Sequence, residues 1–388
     1  MERFDAVVVG AGPAGALTAY HLSRARARVL LVDKASFPRD KPCGGGLTYR
    51  ALRQLPFSVE PVVEDVVSRV ECRLHYRRSF ERGDRPLAVM TQRRRLDAFL
   101  AERAVEAGAE FRDGTRAFVG SDTRVIVDGE PVEAQAVIGA DGANGATART
   151  LGLGGDIVHG VALEGNLRYG RVSRGRYGGR MVLELAVLPG GYGWVFPKGD
   201  HVNFGVGGWN FTGPRLRDHL RRLCAEHGVN ADELTDVRGH RLPLRRPHTV
   251  LARGRAALVG DAAGLVDPVS GDGMYEAFFS ARVAAAATVD LLEGRASSLE
   301  PYHAVVTRAL EPVAAAGWGA KVALDRFPNA VFALMRLPVT WRGLEKVVLG
   351  EVSSPTATKG AERRAMKLVE TLARAAGDPG RAFRTATA

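Results

Sequence analysis

Four short runs of consecutive apolar residues punctuate the chain, and each is closed by a glycine or an aspartate. They are residues 5–9 (Asp-Ala-Val-Val-Val), 28–32 (Arg-Val-Leu-Leu-Val), 136–140 (Ala-Val-Ile-Gly-Ala) and 255–259 (Arg-Ala-Ala-Leu-Val). Their length, β-branching and lack of alternation predict strands buried on both faces, as in a parallel sheet. Between the first two, Pro13 to about Ala25 reads as a helix with proline in its tolerated first turn, which completes one strand–helix–strand unit. A Gly/Pro-rich loop from Phe37 to Leu47 then leaves the sheet, and residues 95–107 predict another helix. From about 156 to 250 the rhythm changes to short alternating segments broken by Gly and Pro, which predicts an antiparallel sheet. Gly273 to about Glu293 reads as an Ala-rich helix, and the remainder as helix and loop with a polar tail.

The first strand-to-helix turn carries Gly10-Ala-Gly12-Pro-Ala-Gly15. In this spacing Gly10 permits the tight turn, Gly12 lets a pyrophosphate approach the backbone, and Gly15 lets helix pack on strand. The helix N-terminus then presents free N–H groups and a partial positive charge to the phosphates. Asp33 closes the second strand, 18 residues after Gly15, where a carboxylate can accept hydrogen bonds from ribose hydroxyls. Two later segments favour FAD over NAD. Gly260-Asp261 follows the fourth buried strand, and Gly271-Asp272-Gly273-Met274 opens the long helix, whose N-terminus can face the electron-rich edge of a flavin. Asp141-Gly142 supplies another strand-end Asp-Gly turn.

The expected fold is therefore α/β. A discontinuous Rossmann-like FAD-binding lobe (1–155 and 251–310) carries an inserted antiparallel substrate lobe (156–250), with a helical C-terminal region and tail at 311–388.

Composition narrows the setting. A hydrophobic content of 46% and the absence of an apolar run near the roughly 20 residues of a membrane span predict a soluble globular chain. The start, Met1-Glu2-Arg3-Phe4-Asp5, has no signal-peptide core, and the three widely spaced cysteines suit a reducing cytoplasm. The net charge of +11 is dominated by arginine. It reads either as compositional drift or as attraction to anionic lipid head groups at a membrane surface. Nucleic acid is not indicated, since the Arg93-Arg94-Arg95 and Arg363-Arg364 clusters are short. The histidines show no metal-ligand spacing, so no metal is expected.

These motifs resemble the flavoprotein superfamily that includes para-hydroxybenzoate hydroxylase, over about residues 1–300, and within it most closely the geranylgeranyl reductase family. Lys41-Pro42-Cys43-Gly44-Gly45-Gly46-Leu47 is similar to that family's Cys-Gly loop beside the isoalloxazine. Gly191-Tyr192-Gly193-Trp194-Val195-Phe196-Pro197-Lys198 is similar to its aromatic strand over the substrate tunnel. The resemblance implies FAD contacts at Gly10, Gly12, Ala14, Gly15, Asp33, Cys43, Gly44, Gly260, Asp261, Gly273 and Met274, and at one arginine of the 93–95 cluster, taken as Arg93. It implies substrate contacts at Tyr192, Trp194 and Phe196, which share one strand face because they alternate at period two; ordinary sheet core gives the same stripe. Cys43 is the candidate catalytic residue, a thiol able to relay a proton or tune the flavin. Asp33 replaces the commoner glutamate, and Gly145 stands where the superfamily pattern often has serine.

The activity so implied is reduction of isolated double bonds in a prenyl chain on a lipid-like substrate, with NADPH or another reductant as transient donor. Gly205-Val-Gly207-Gly208 lies in the antiparallel lobe, so no second Rossmann turn is expected. A flavin monooxygenase or halogenase on the same fold is the alternative reading. The apolar segment from Phe327 to Pro338, with its flanking arginines, is suited to lying on an anionic membrane, to closing a tunnel mouth, or to packing as an ordinary helix on the flavin lobe.

Overall fold

The computed structural model describes residues 1–155, 157–247 and 249–377, so the polar tail expected at the C-terminus lies largely outside the described residues. The four apolar runs become strands of one sheet. Its order is Ala252–Arg253, Ala256–Leu258, Glu130–Gly139, Glu2–Val9, Val29–Val32, Glu110–Arg112. Glu2–Val9 lies at the centre, parallel to both neighbours, which is why its Val7 and Val8 have no contact with solvent. Helices α1 (Pro13–Arg24) and α2 (Arg93–Glu106) pack together on this sheet. Leu17 and Leu22 of α1 and Leu96 and Leu100 of α2 share one core with Val8 and Leu31.

A second sheet runs in the order Thr235–Leu244, Val158–Arg168, His201–Trp209, Tyr192–Pro197, Arg180–Leu185, Arg69–Leu74, Arg78–Arg82. Its last two strands come from within the segment assigned by sequence to the flavin lobe, and Arg69–Leu74 runs parallel to Arg180–Leu185. Strand alternation gives this sheet two different faces. Val182, Val195, Phe204 and Val206 bury one face against helix α3 (Leu216–Glu226), through Leu220 and Leu223. Val70, Cys72 and Leu185 turn to the other face, towards the C-terminal helices.

Helix α4 (Met274–Leu292) instead packs on α1, and the C-terminal helices are α5 (Glu300–Arg326), α6 (Pro328–Met335), α7 (Pro338–Val348) and α8 (Gly360–Ala376). The expected boundary after residue 310 falls inside α5, which continues through Pro312. Within the segment from Phe327 to Pro338, Phe332 turns inward rather than to the surface. That side chain is 2% exposed and its ring meets Phe80 at 5.2 Å, while Met335 faces the central cavity. The segment therefore closes the cavity from outside. Phe332→Ala should destabilise the protein by about 3–5 kcal/mol, the usual cost of emptying a buried aromatic site, measured as a lower urea midpoint.

Candidate functional site

Strand ends and helix starts from both sheets open onto one cavity of about 1630 Å³, larger than the roughly 300–1,000 Å³ typical of a single small-molecule site. At its near end the chain turns at Gly10 with φ +106°, where a Cβ would lie 2.3 Å from the Ala140 carbonyl oxygen. A Cβ at Gly15 would meet the Gly10 oxygen at 1.8 Å, so α1 packs directly on the turn. Gly12 differs. The nearest atom to a Cβ there is Nη2 of Arg39 at 3.5 Å, and no side chain caps the α1 N-terminus. Gly12, Pro13 and Ala14 line the cavity, so the open helix end fits an anionic pyrophosphate.

Around this end stand four carboxylates. Asp33 accepts the N–H groups of Ala11 at 2.8 Å and Ala35 at 2.9 Å, and its oxygens keep lone pairs for ribose hydroxyls. Asp141 accepts the Thr147 N–H at 2.9 Å, and a Cβ at Gly145 would come within 2.0 Å of its carboxyl carbon. A side chain at 145 would therefore require the Asp141 carboxylate to move. Asp97 holds Arg93 by two bonds, at 2.7 and 2.8 Å, and Arg39 by a third at 2.8 Å. Arg93 thus lines the cavity with its guanidinium committed to Asp97. Burial opposes its charge, but that carboxylate keeps it firmly protonated.

Asp261 pairs with Lys41 at 2.8 Å and has His240 at 3.9 Å. Burial alone would raise its carboxyl, yet these two groups hold it well below the usual carboxylate range. Gly260, at φ +57°, lets this turn approach α1, since a Cβ there would lie 2.8 Å from that of Ala14. Gly273 precedes α4, and a Cβ there would sit 3.2 Å from Oδ1 of Asp261. Met274 lines the cavity and donates its N–H to Asp272 at 2.8 Å.

Further along, the 41–47 loop is held from two sides. Glu164 accepts the Cys43 N–H at 2.6 Å, while Lys198 donates to the Gly44 carbonyl and, at 2.7 Å, to that of Thr91. Burial lowers the Lys198 ammonium and raises the Glu164 carboxyl, and each is partly offset by the other. Sγ of Cys43 accepts the Gly45 N–H at 3.3 Å. Burial pushes the Cys72 and Cys224 thiols up to about 12, which leaves Cys43 as the thiol in a polar, cavity-lining loop.

Tyr192, Trp194 and Phe196 all turn to the cavity. Phe196 lies against Gly44, where a Cβ would be 2.9 Å from its ring, and the Trp194 ring covers Gly205. Trp194 is fixed by a bond from Nε1 to Asn203 at 2.8 Å, and Tyr192 donates to the Ser270 carbonyl. Gly205 and its neighbours are thus sheet glycines under an aromatic ring, with no strand-to-helix turn. Beyond the stripe the cavity continues as an apolar chamber between Val70, Leu183 and Leu185 of the sheet and Leu324, Val331 and Leu344 of the helices.

Sequence reasoning did not single out Arg39, Lys41, Glu164, Lys198, His240 or Lys321. Arg39 and Lys41 sit in the Gly/Pro-rich loop and Lys198 ends the aromatic strand that it did mark; Glu164, His240 and Lys321 are single polar residues in apolar or mixed segments, and their role depends on what folds against them. Lys321 in α5 is 7% exposed, donates to the Gly190 carbonyl and lies 4.7 Å from the Trp209 ring centre. Burial lowers its ammonium from 10.5 to about 8, against the pull of Asp325 and Asp267. Between those values the unfolded chain binds the extra proton, so this group makes stability rise with pH across that window. Lys321→Met should remove that rise, about 3 kcal/mol in total across the window, in urea titrations run at successive pH values.

Residues 3–168 match a family model described as an FAD binding domain. The chain is 33% identical over 309 residues to a geranylgeranyl diphosphate reductase of Rhodobacter capsulatus, covering 75% of this chain and 76% of that protein. It is 34% identical over 322 residues to a menaquinone reductase of Mycobacterium tuberculosis, covering 76% and 78%. A solved structure from Thermoplasma acidophilum, described as geranylgeranyl bacteriochlorophyll reductase-like, has the same fold. It matches with a TM-score of 0.78 at 23% identity, over 96% of this chain and 100% of that one.

Proposed function

Because the chain belongs to the geranylgeranyl reductase family of FAD-dependent oxidoreductases, we propose that it hydrogenates isolated carbon–carbon double bonds of a prenyl chain. The chain would be of geranylgeranyl type, borne by a lipid, quinone or chlorophyll precursor. The observation that carries this reading is the apolar chamber running on from Tyr192, Trp194 and Phe196 to the C-terminal helices. Its aliphatic walls suit a flexible hydrocarbon and exclude water.

When bound and reduced, the flavin supplies hydride to one alkene carbon. The open α1 end at Gly12 binds the pyrophosphate, Asp33 the ribose, and Asp261 with Gly273 and Met274 the flavin end. Glu164 and Lys198 fix the Cys43–Gly44 backbone, which would hold the Cys43 thiol where it could tune a bound flavin. Tyr192, Trp194 and Phe196 align the alkene, which matters because an isolated double bond has no carbonyl to polarise. NADPH or another reductant serves as transient electron donor.

Among the described residues no helix is long and apolar enough to cross a membrane. Peripheral contact with an anionic membrane is part of the proposal, on the support of the basic surface and the lipid-like substrate. Leu337, 43% exposed between Arg336 and Arg342, is the side chain proposed to insert. Leu337→Ser should weaken sedimentation with anionic vesicles without changing flavin content.

Anaerobic incubation of the reduced protein with a panel of prenyl substrates tests the activity. A mass gain of about two units per reduced bond is expected, from hydride plus proton. Product that forms only with coupled oxygen consumption would replace the reading with a monooxygenase or halogenase.

A further inference from the structure

Glu276 stands in the first turn of α4, three residues beyond Gly273, and lines the same cavity as Tyr192 and the Cys43 loop. It is 6% exposed, and among the described residues its Oε2 has no hydrogen-bond partner. Its helical neighbours Met274, Ala277 and Phe278 are buried and apolar. A carboxylate in such surroundings is costly unless it is paired or protonated.

Among the described residues no pairing compensates it. The charged groups that act on Glu276 are Asp272 and Asp267 from the preceding loop and Arg50 from the short helix Tyr49–Leu52. Arg50 is engaged elsewhere: its guanidinium lies 3.8 Å above the Tyr275 ring and donates to the Ser353 carbonyl at 3.0 Å. Burial first, and then the two aspartates, push the Glu276 carboxyl well above its ordinary range. Asp272 is half-buried; burial, with Asp267 adding to it, pushes its carboxyl up to about 6, against the Met274 N–H. A neutral acid on the wall is compatible with an apolar chain in the cavity, whereas an anion there would draw in water.

Resting on the prenyl-reductase reading, we infer that Glu276 is the general acid that protonates the alkene. Its O–H bond breaks as the alkene π pair forms a C–H bond at the carbon that does not receive hydride. Hydride from the reduced cofactor makes the other C–H bond. Glu276 is left as a carboxylate and regains a proton from solvent by way of Asp272. The Cys43 thiol then acts on the flavin side of the reacting centre, and Glu276 on the substrate side.

The test compares full-length holoprotein with its Glu276→Gln and Glu276→Asp variants. Glu276→Gln should keep its FAD and its melting temperature yet reduce prenyl substrate at least about 10²-fold more slowly, the usual worth of a general acid. Glu276→Asp should recover part of that loss. The wild-type rate should fall as pH rises and the acid ionises, and the residual rate of Glu276→Gln should lack this fall. Difference infrared spectra of flavin-free protein at neutral pH should show a protonated-carboxyl band that Glu276→Gln removes. Full turnover in Glu276→Gln, an unaltered pH profile, or no such band would overturn the inference. Should Glu276→Gln not fold, the wild-type band and alkaline limb decide alone, and absence of either overturns it. An active wild type beside an equally active Glu276→Gln sinks Glu276 only. A wild type that reduces no prenyl substrate sinks the proposed function, and Glu276 with it.

Discussion

Gly12→Val should purify as folded protein without the yellow of bound flavin. The three glycines of the turn predict different outcomes. A side chain at Gly15 would be driven into the Gly10 oxygen, and one at Gly10 into Ala140, so those changes should unfold the turn itself. At Gly12 a Cβ meets nothing closer than the far end of Arg39 at 3.5 Å, so the fold can accept it. What it cannot accept is an anion at the helix end, because the two valine methyls stand where the pyrophosphate must approach. Visible absorbance against protein content and a thermal melt read the two effects separately. A near-complete loss of flavin is expected with little change in apo-protein melting, and full occupancy in Gly12→Val would remove this turn as the cofactor site. Asp33→Ala should behave differently. Asp33 also holds the Ala11 and Ala35 N–H groups, so its loss should lower stability as well as occupancy.

That contrast shows what was legible in the sequence. The turn from Val9 to Gly15, Asp33 at the second strand end, and the period-two stripe of Tyr192, Trp194 and Phe196 are local patterns. For the turn and Asp33 spacing suggests a role, whereas for the stripe it gives only a shared strand face, and the substrate role comes from the resemblance. The strand at 136–140 was visible only in its second half. The first half, from Glu130, alternates polar and apolar residues because it pairs outward with Arg124–Val127. Two strands inside the first 155 residues joined the second sheet, which no local pattern announces, since Arg69–Leu74 finds its parallel partner more than 100 residues later. Glu164, Lys198 and Glu276 read in the sequence as ordinary charges. Only the fold reveals that they are buried or half-buried against the Cys43 loop or the cavity wall. The C-terminal helices carried no motif, yet their apolar faces close the chamber. Amphipathic periodicity names the buried side of a helix but not what lies across from it.

Cys43→Ala should leave flavin content intact and slow prenyl reduction by about tenfold or more, a loss of at least about 1.4 kcal/mol at the transition state. Retention of flavin follows from how the loop is held. Its backbone hangs on Glu164 through the Cys43 N–H and on Lys198 through the Gly44 carbonyl, neither of which needs the sulfur. The one bond lost is the weak acceptor contact from the Gly45 N–H to Sγ at 3.3 Å. Alanine fits wherever cysteine does, so neither Phe196 nor Gly44 has to move. A change in rate together with a shifted flavin absorption spectrum or reduction midpoint would assign the effect to the thiol. Glu164→Ala is the control, because it frees the Cys43 N–H and should loosen the loop, lowering flavin content and rate together. If Cys43→Ala turns over like wild type with an unchanged spectrum, the thiol is a small loop residue, and tuning of the flavin falls to the Glu164 and Lys198 pair that frames it.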